Sequence, residues 1–277
     1  VNLGEMRRLL EARDLRLTRS LGQNFLHDGN QLRRIVAAAR LSGVEPVLEI
    51  GPGLGPLTAM LLKEAGRVLA VEKDARLGEV LMERFGEEPR FELLVADALV
   101  WLKEGERDWR DWWVVSNLPY SVGSPILVEL ALARLPARRM VVLLQEEVVD
   151  RIAARTGTGE YGILTLLVGL QFRVVESFRV PRDCFFPAPD VESACVVLER
   201  REGWEELAGL GPAFARVVKT GFGQRRKMLL KLLAAEWPRA VVEEAFAEAG
   251  VAATERAERL SREQFLCIAR KVKAWSA

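Results

Sequence analysis

Four short apolar runs, at residues 47–50, 68–71, 91–96 and 113–118, alternate with amphipathic stretches at 56–64 and 75–85. The runs are rich in branched side chains and continuous rather than alternating, the pattern of strands covered on both faces. A fifth run at 140–145 follows a helical pattern at about 125–135. This repetition of strand, helix and strand predicts an α/β fold on a doubly wound parallel sheet. After Tyr161 the register changes. Residues 162–170 read as a buried helix, and 172–180 and 191–199 as strands whose connection carries Pro181, Pro187 and Pro189. Proline continues neither strand, and two strands so close in sequence are expected to pair antiparallel at the sheet edge. From Trp204 onward the pattern is helical only, at 212–221, 225–236, 239–249 and 261–275. The predicted organisation is a domain over 1–202 and a small all-helical domain over 203–277.

Composition adds mainly exclusions. With 49% hydrophobic and 29% charged residues among 277, the chain can bury a core without a disulfide or metal staple. No apolar run reaches the ~18–20 residues of a membrane span, and the stretch holding Glu5, Arg7, Arg8, Glu11 and Arg13 lacks the apolar segment of a signal peptide. Cys184, Cys195 and Cys267 stand far apart, and the one histidine, His27, completes no zinc spacing with them. A reducing, cytoplasmic home and no metal are expected. Charge is informative only when divided. Residues 1–40 hold eight basic and four acidic residues, 41–200 hold 18 and 25, and 201–277 hold 14 and 10. Basic ends around an acidic middle suit an approach to a polyanion.

Candidate chemistry sits at the ends of the predicted strands. The first turn reads Leu48-Glu49-Ile50-Gly51-Pro52-Gly53-Leu54-Gly55, and Glu72 closes the second strand. Glycines allow a sharp turn and a close ligand, and a carboxylate at the second strand end suits ribose hydroxyls. This fits NAD, FAD or S-adenosylmethionine, although Pro56 stands where the dinucleotide fingerprint wants Gly or Ala. Asp97 closes the third strand and is read either as an acceptor for an adenine amine or as a helix cap. The fourth strand ends Ser116-Asn117-Leu118-Pro119-Tyr120. That corner offers an amide oxygen, a backbone carbonyl and an aromatic face, the groups that hold a planar base and orient its exocyclic amine. The segment 101–113 carries four tryptophans, read as packing near the sheet edge rather than as RNA stacking.

With these residues in place the chain resembles the ribosomal RNA adenine dimethyltransferase family. The resemblance runs from about Leu17 to Lys231. Besides Glu49–Gly55 and the Asn117 corner, it rests on Gly22-Gln23-Asn24-Phe25-Leu26, on Phe185-Phe186-Pro187-Ala188-Pro189-Asp190-Val191-Glu192-Ser193 and on Phe222-Gly223-Gln224-Arg225-Arg226-Lys227. It implies a class I methyltransferase (Rossmann-like) sheet with S-adenosylmethionine as cofactor, contacted by Asn24, Leu26, Gly51, Glu72, Asp97 and Asn117. It implies a target adenine held by Asn117, Leu118, Tyr120 and Phe185, and RNA contacts by Arg225, Arg226 and Lys227. The implied substrate is small-subunit rRNA within a pre-ribosomal particle, dimethylated at two adjacent adenosines of its 3′-terminal hairpin by a monomer. Two other readings are a large-subunit methyltransferase of the antibiotic-resistance type and a non-catalytic assembly factor. Leu118, where the resistance group commonly has Ile, disfavours the first. Intact Glu72, Asp97 and the Asn117–Tyr120 corner disfavour the second.

Overall fold

The computed structural model describes residues 3–13, 15, 24–224 and 226–276. The chain forms two compact units, one of Val1–Leu130, Leu135–Val149 and Val174–Arg200, the other of Ala131–Arg134, Asp150–Arg173 and Arg201–Ala277.

The first unit opens with helix α1 (Leu3–Ala12) and the short strand β1 (Phe25–Leu26). Helix α2 (Gly29–Ala39) follows, started by the Asp28 carboxylate, which accepts from the backbone N–H groups of Asn30 and Gln31 at 2.9 Å. Its buried residues Leu32, Ile35, Val36 and Ala39 fall at helical spacing, so one face packs inward. Then come β2 (Pro46–Ile50), α3 (Thr58–Glu64), β3 (Arg67–Glu72), α4 (Ala75–Phe85), β4 (Phe91–Val95), α5 (Ala98–Lys103), β5 (Trp113–Asn117), α6 (Gly123–Ala131), β6 (Arg139–Gln145) and α7 (Glu146–Ala153). Past helix α8 (Ile163–Gly169) lie β7 (Phe172–Val180), β8 (Phe185–Phe186) and β9 (Ser193–Arg200).

Seven strands form one sheet in the order β4-β3-β2-β5-β6-β9-β7. The pairs from β4 through β6 are parallel and β9 runs antiparallel to β6; the two late strands β7 and β9 lie side by side at that edge, where their closeness in sequence puts them. The expectation of two-sided cover fails at β4. It is an edge strand with no fully buried residue, and Val95 is 49% exposed. Strands β6 and β9 are almost wholly buried. The core lies between them and α2 and α3, where Ile35, Leu61, Val115, Val141 and Val197 meet.

The strand order reverses between β2 and β5, and these two pair only through Val47↔Trp113 and Leu48↔Val114. Beyond that point they part, and the Ser116 hydroxyl takes over the ladder by accepting from the Ile50 N–H at 2.7 Å. A crevice at the carboxyl ends of parallel strands is thereby built in. Beside it, β1 and β8 pair as a separate two-stranded ribbon, Phe25↔Phe186 and Leu26↔Phe185.

The second unit holds α8, α9 (Gly211–Phe222), α10 (Leu229–Leu233), α11 (Arg239–Glu248) and α12 (Arg262–Ser276). It is not the single segment from 203 onward that the sequence suggests, because residues 150–173 are bonded into it. The Tyr161 hydroxyl donates to the Leu260 carbonyl at 2.8 Å, and the Tyr161 ring meets Phe222, which stacks on Phe265. The Arg201 guanidinium donates to the Gly169 and Phe172 carbonyls. A second correction concerns the basic stretch. Helix α10 begins only at Leu229, and Arg226 and Lys227 lie in a turn whose Lys227 N–H reaches the Gln224 carbonyl at 3.0 Å. Arg225 lies outside the described residues.

Candidate active site

A cleft of about 890 Å³, counting its solvent-open mouth, lies over the crevice between β2 and β5. It is within the size range of clefts that take small cofactors. Seven sequence-predicted residues line it: Asn24, Gly51, Glu72, Asp97, Asn117, Leu118 and Tyr120. Leu26 and Phe185 do not. They face each other across the ribbon, 2% and 3% exposed, and pack into the core behind the cleft wall. Their side chains support the ribbon that follows Asn24.

The glycine turn is shaped by its neighbours. Gly51 has φ +70° and Gly53 φ +61°, conformations that L side chains rarely adopt. A Cβ at Gly53 would stand 2.4 Å from the Phe25 ring, and one at Gly51 would stand 3.2 Å from Pro119. Glycine there lets the ribbon and the Asn117 corner close on the turn.

Glu72, 6% exposed, ties that turn to β3. One carboxylate oxygen accepts from the Gly53 N–H at 3.1 Å and the other from the Asp74 N–H at 2.9 Å. Burial pushes its pKa up, with the backbone donors acting against the shift. Each oxygen keeps acceptor capacity for another donor. Asp97 is the cap of α5: one oxygen accepts from the Leu99 and Val100 N–H groups at 2.9 and 3.2 Å. The other pairs with Lys73 Nζ at 2.8 Å, and that bond chiefly holds its pKa down. The cap reading of Asp97 holds, and the same carboxylate lines the cleft.

The opposite end is Asn117. Its Nδ2 donates to the Asn24 backbone carbonyl at 2.9 Å. A carbonyl only accepts, so this bond fixes which way the amide points. Oδ1 is thereby turned to a buried position where it has no hydrogen-bond partner. Next to it Leu118 is held by its N–H on the Leu143 carbonyl, and Tyr120 shares a hydroxyl–hydroxyl hydrogen bond with Ser193. Burial pushes the Tyr120 phenol up, so it stays neutral.

A family model described as Ribosomal RNA adenine dimethylase matches residues 15–273. The chain belongs to this family. Among the dimethylase relatives, the ribosomal RNA small subunit methyltransferase A of Anoxybacillus flavithermus is 39% identical over 274 residues, covering 95% of this chain and 93% of that protein. The protein of the same name from Geobacillus kaustophilus is 40% identical over 240 residues, 85% of this chain and 82% of its own. A solved dimethyladenosine transferase from Plasmodium falciparum matches with a TM-score of 0.74 over 88% of this chain and 95% of that one, at 24% identity, and supports the fold. The 23S rRNA methyltransferase ErmE matches with a TM-score of 0.64 over 90% of this chain and 99% of that one, at 29% identity.

Lys73 lines this dimethylase-family cleft without having been singled out in the sequence. Ser116 and Glu49 stand in the quoted motifs, but the sequence assigns them no role of their own, and Glu49 is the more unusual. It is 1% exposed on β2, accepts from the Thr58 hydroxyl at 2.6 Å, and burial pushes its pKa up to about 8. A carboxyl inside a continuous apolar run was the available signal. The tryptophans of 101–113 pack on one another edge to face, Trp101 on Trp109 and Trp109 on Trp112, while Arg107 covers Trp101 and Arg67 covers Trp112. No helix among the described residues is long and apolar enough to cross a membrane, and no group of three or more potential metal ligands occurs among them.

Proposed function

We propose that this chain transfers methyl groups from S-adenosylmethionine to the exocyclic amines of two adjacent adenosines in the 3′-terminal hairpin of small-subunit rRNA. The observation that carries this reading is the Asn117 amide, locked by Asn24 with its oxygen unpaired. Leaving a buried acceptor unmade costs about 1–3 kcal/mol, and an amine donor removes that cost. Family membership and identities of 36–40% with relatives named for the small-subunit RNA support the substrate class.

The residues present fit the cofactor. Glu72 retains acceptor capacity for ribose hydroxyls and Asp97 for an adenine amine, and Gly51 and Gly53 line the same cleft. When bound, S-adenosylmethionine supplies an electrophilic methyl group on a sulfonium. The protein supplies aim. An adenine amine is a poor nucleophile because its lone pair is delocalised into the ring. Hydrogen bonds from it to Asn117 Oδ1 and the Leu118 carbonyl turn that lone pair toward the cofactor end, and such contacts tighten only in the loaded complex. The Tyr120 face holds the ring, and positioning of this kind is worth up to about 7–11 kcal/mol. The corner Asn117–Ser121 carries no carboxylate, imidazole or amine, so the proton of the methylated amine leaves to water.

Arg226 and Lys227, both exposed, make no ion pair among the described residues. With Arg225 they form the proposed phosphate contact of a monomer acting on pre-ribosomal particles in the cytoplasm. Replacing Arg226 and Lys227 by Ala is expected to flatten the salt dependence of particle binding, and an unchanged slope removes them from the interface. Calorimetry tests the cofactor directly. Saturable heat is expected with S-adenosylmethionine and none with NAD, and the reverse result overturns the reading.

A further inference from the structure

We propose that Ser193 is a positioning residue for methyl transfer, holding the plane of the Tyr120 ring against which the target base lies. The inference rests on the reading of Tyr120 given above and adds to it the group that fixes the ring. Tyr120 follows the end of β5 in a turn, where a Tyr ring is free to swing about two side-chain torsions. Its hydroxyl is bonded to the hydroxyl of Ser193. Ser193 itself is set in the sheet. It is fully buried, it opens β9, and it stands opposite Gln145 in the β6–β9 ladder. The same ladder sets Leu143 opposite Cys195, while Leu143 pairs with Asn117 on its other side. One antiparallel strand therefore reaches the carboxyl ends of the parallel strands with a hydroxyl at the level of the Asn117 corner. Among the described residues the hydrogen bond to Ser193 is what ties the Tyr120 hydroxyl to the sheet, and the phenol stays neutral and able to donate it because burial disfavours its anion.

A ring anchored at its hydroxyl presents one plane to the base, so the bond acts on the rate of transfer rather than on encounter with RNA. The account requires Ser193→Ala and Tyr120→Phe to behave alike, since each removes the same bond from opposite sides. Each should lower the single-turnover rate about three- to tenfold, with the RNA concentration for half-maximal rate and the cofactor affinity unchanged. The double variant should be no slower than either single one. Ser193→Thr, which keeps the hydroxyl on a strand that accepts branched residues, should retain most of the rate. Tyr120→Ala, measured alongside, separates the two levels of the argument. If Tyr120→Ala transfers methyl at the wild-type rate, the reading of Tyr120 itself fails. If it is slow while Tyr120→Phe is wild type, that reading stands and the role of Ser193 is overturned, a result that does not depend on whether Ser193→Ala folds. Losses that add in the double variant also overturn it.

Discussion

The two ends of the cleft prepare for their ligands in opposite ways. At the Glu72 and Asp97 end each carboxylate oxygen already takes a donor from the protein: the Gly53 and Asp74 N–H groups on Glu72, the α5 amides and Lys73 on Asp97. At the Asn117 end only the donor half of the amide is used, and the acceptor half is unpaired. The acids build the turn as well as offering acceptor capacity to a ligand, so removing one has a folding component. The corner side chain gives the fold one hydrogen bond, to the Asn24 carbonyl, and keeps its acceptor for the reaction. Substitutions at the two ends should differ in kind as well as in size.

The largest effect is expected at the corner. Asn117→Ala should reduce single-turnover methyl transfer about 10²- to 10³-fold, the range for loss of one oriented polar group at a reacting centre, with a far smaller change in cofactor affinity and thermal midpoint. Equal losses in rate and affinity would merge the two ends into one. Next comes Glu72→Ala. Charge-assisted bonds of about 1.5–3 kcal/mol are at stake, so calorimetry should show cofactor affinity weakened roughly 10- to 100-fold. The melting temperature should fall as well, because the Gly53 and Asp74 N–H groups lose their acceptor. Wild-type affinity in a folded variant would contradict the assignment.

The one effect confined to stability, outside the comparison of the two ends, concerns Glu49. Its pKa lies at about 8 in the fold against an ordinary 4.5. Between those values the folded chain keeps a proton that the unfolded chain releases, so stability falls as pH rises from the lower value through the upper one. Glu49→Gln removes that dependence. Denaturant midpoints at pH 5, 7 and 9 should show the variant gaining steadily on the wild type, by on the order of a few kcal/mol at the alkaline end. Parallel pH curves would mean that Glu49 is not buried as a neutral acid.

What was legible in the sequence depended on what each signal measures. The parallel strands were visible because both faces of most are covered, which leaves continuous apolar runs. The edge strand β4 was found by the same sign, although its 49%-exposed Val95 shows that the cover is incomplete. Helix α2 was readable in principle, with Asp28 as its cap and Leu32, Ile35, Val36 and Ala39 at helical spacing, but it lies outside the strand–helix alternation that organised the reading. The helical pattern over 225–236 overran because leucines at 229, 230, 232 and 233 dominate it, while Arg226 and Lys227 belong to the turn before them. Residues 150–173 could not be assigned to the second unit from pattern alone, since the bonds of Tyr161 and Arg201 join positions far apart in the chain. Within the site, motif order pointed to seven lining residues, but not to their state. That Asn117 is locked by a backbone carbonyl, and that Leu26 and Phe185 stand behind the wall, are facts of three-dimensional pairing.

The central claim is the reaction itself, and it is tested most directly by mass mapping of RNA after incubation with the wild-type chain and S-adenosylmethionine. Under-methylated small-subunit particles and large-subunit RNA would be offered in parallel. The account predicts two methyl groups on each of two neighbouring adenosines of the small-subunit 3′-terminal hairpin and none on large-subunit RNA. Methylation of large-subunit RNA instead, or transfer to neither substrate by a chain that binds the cofactor, would contradict it.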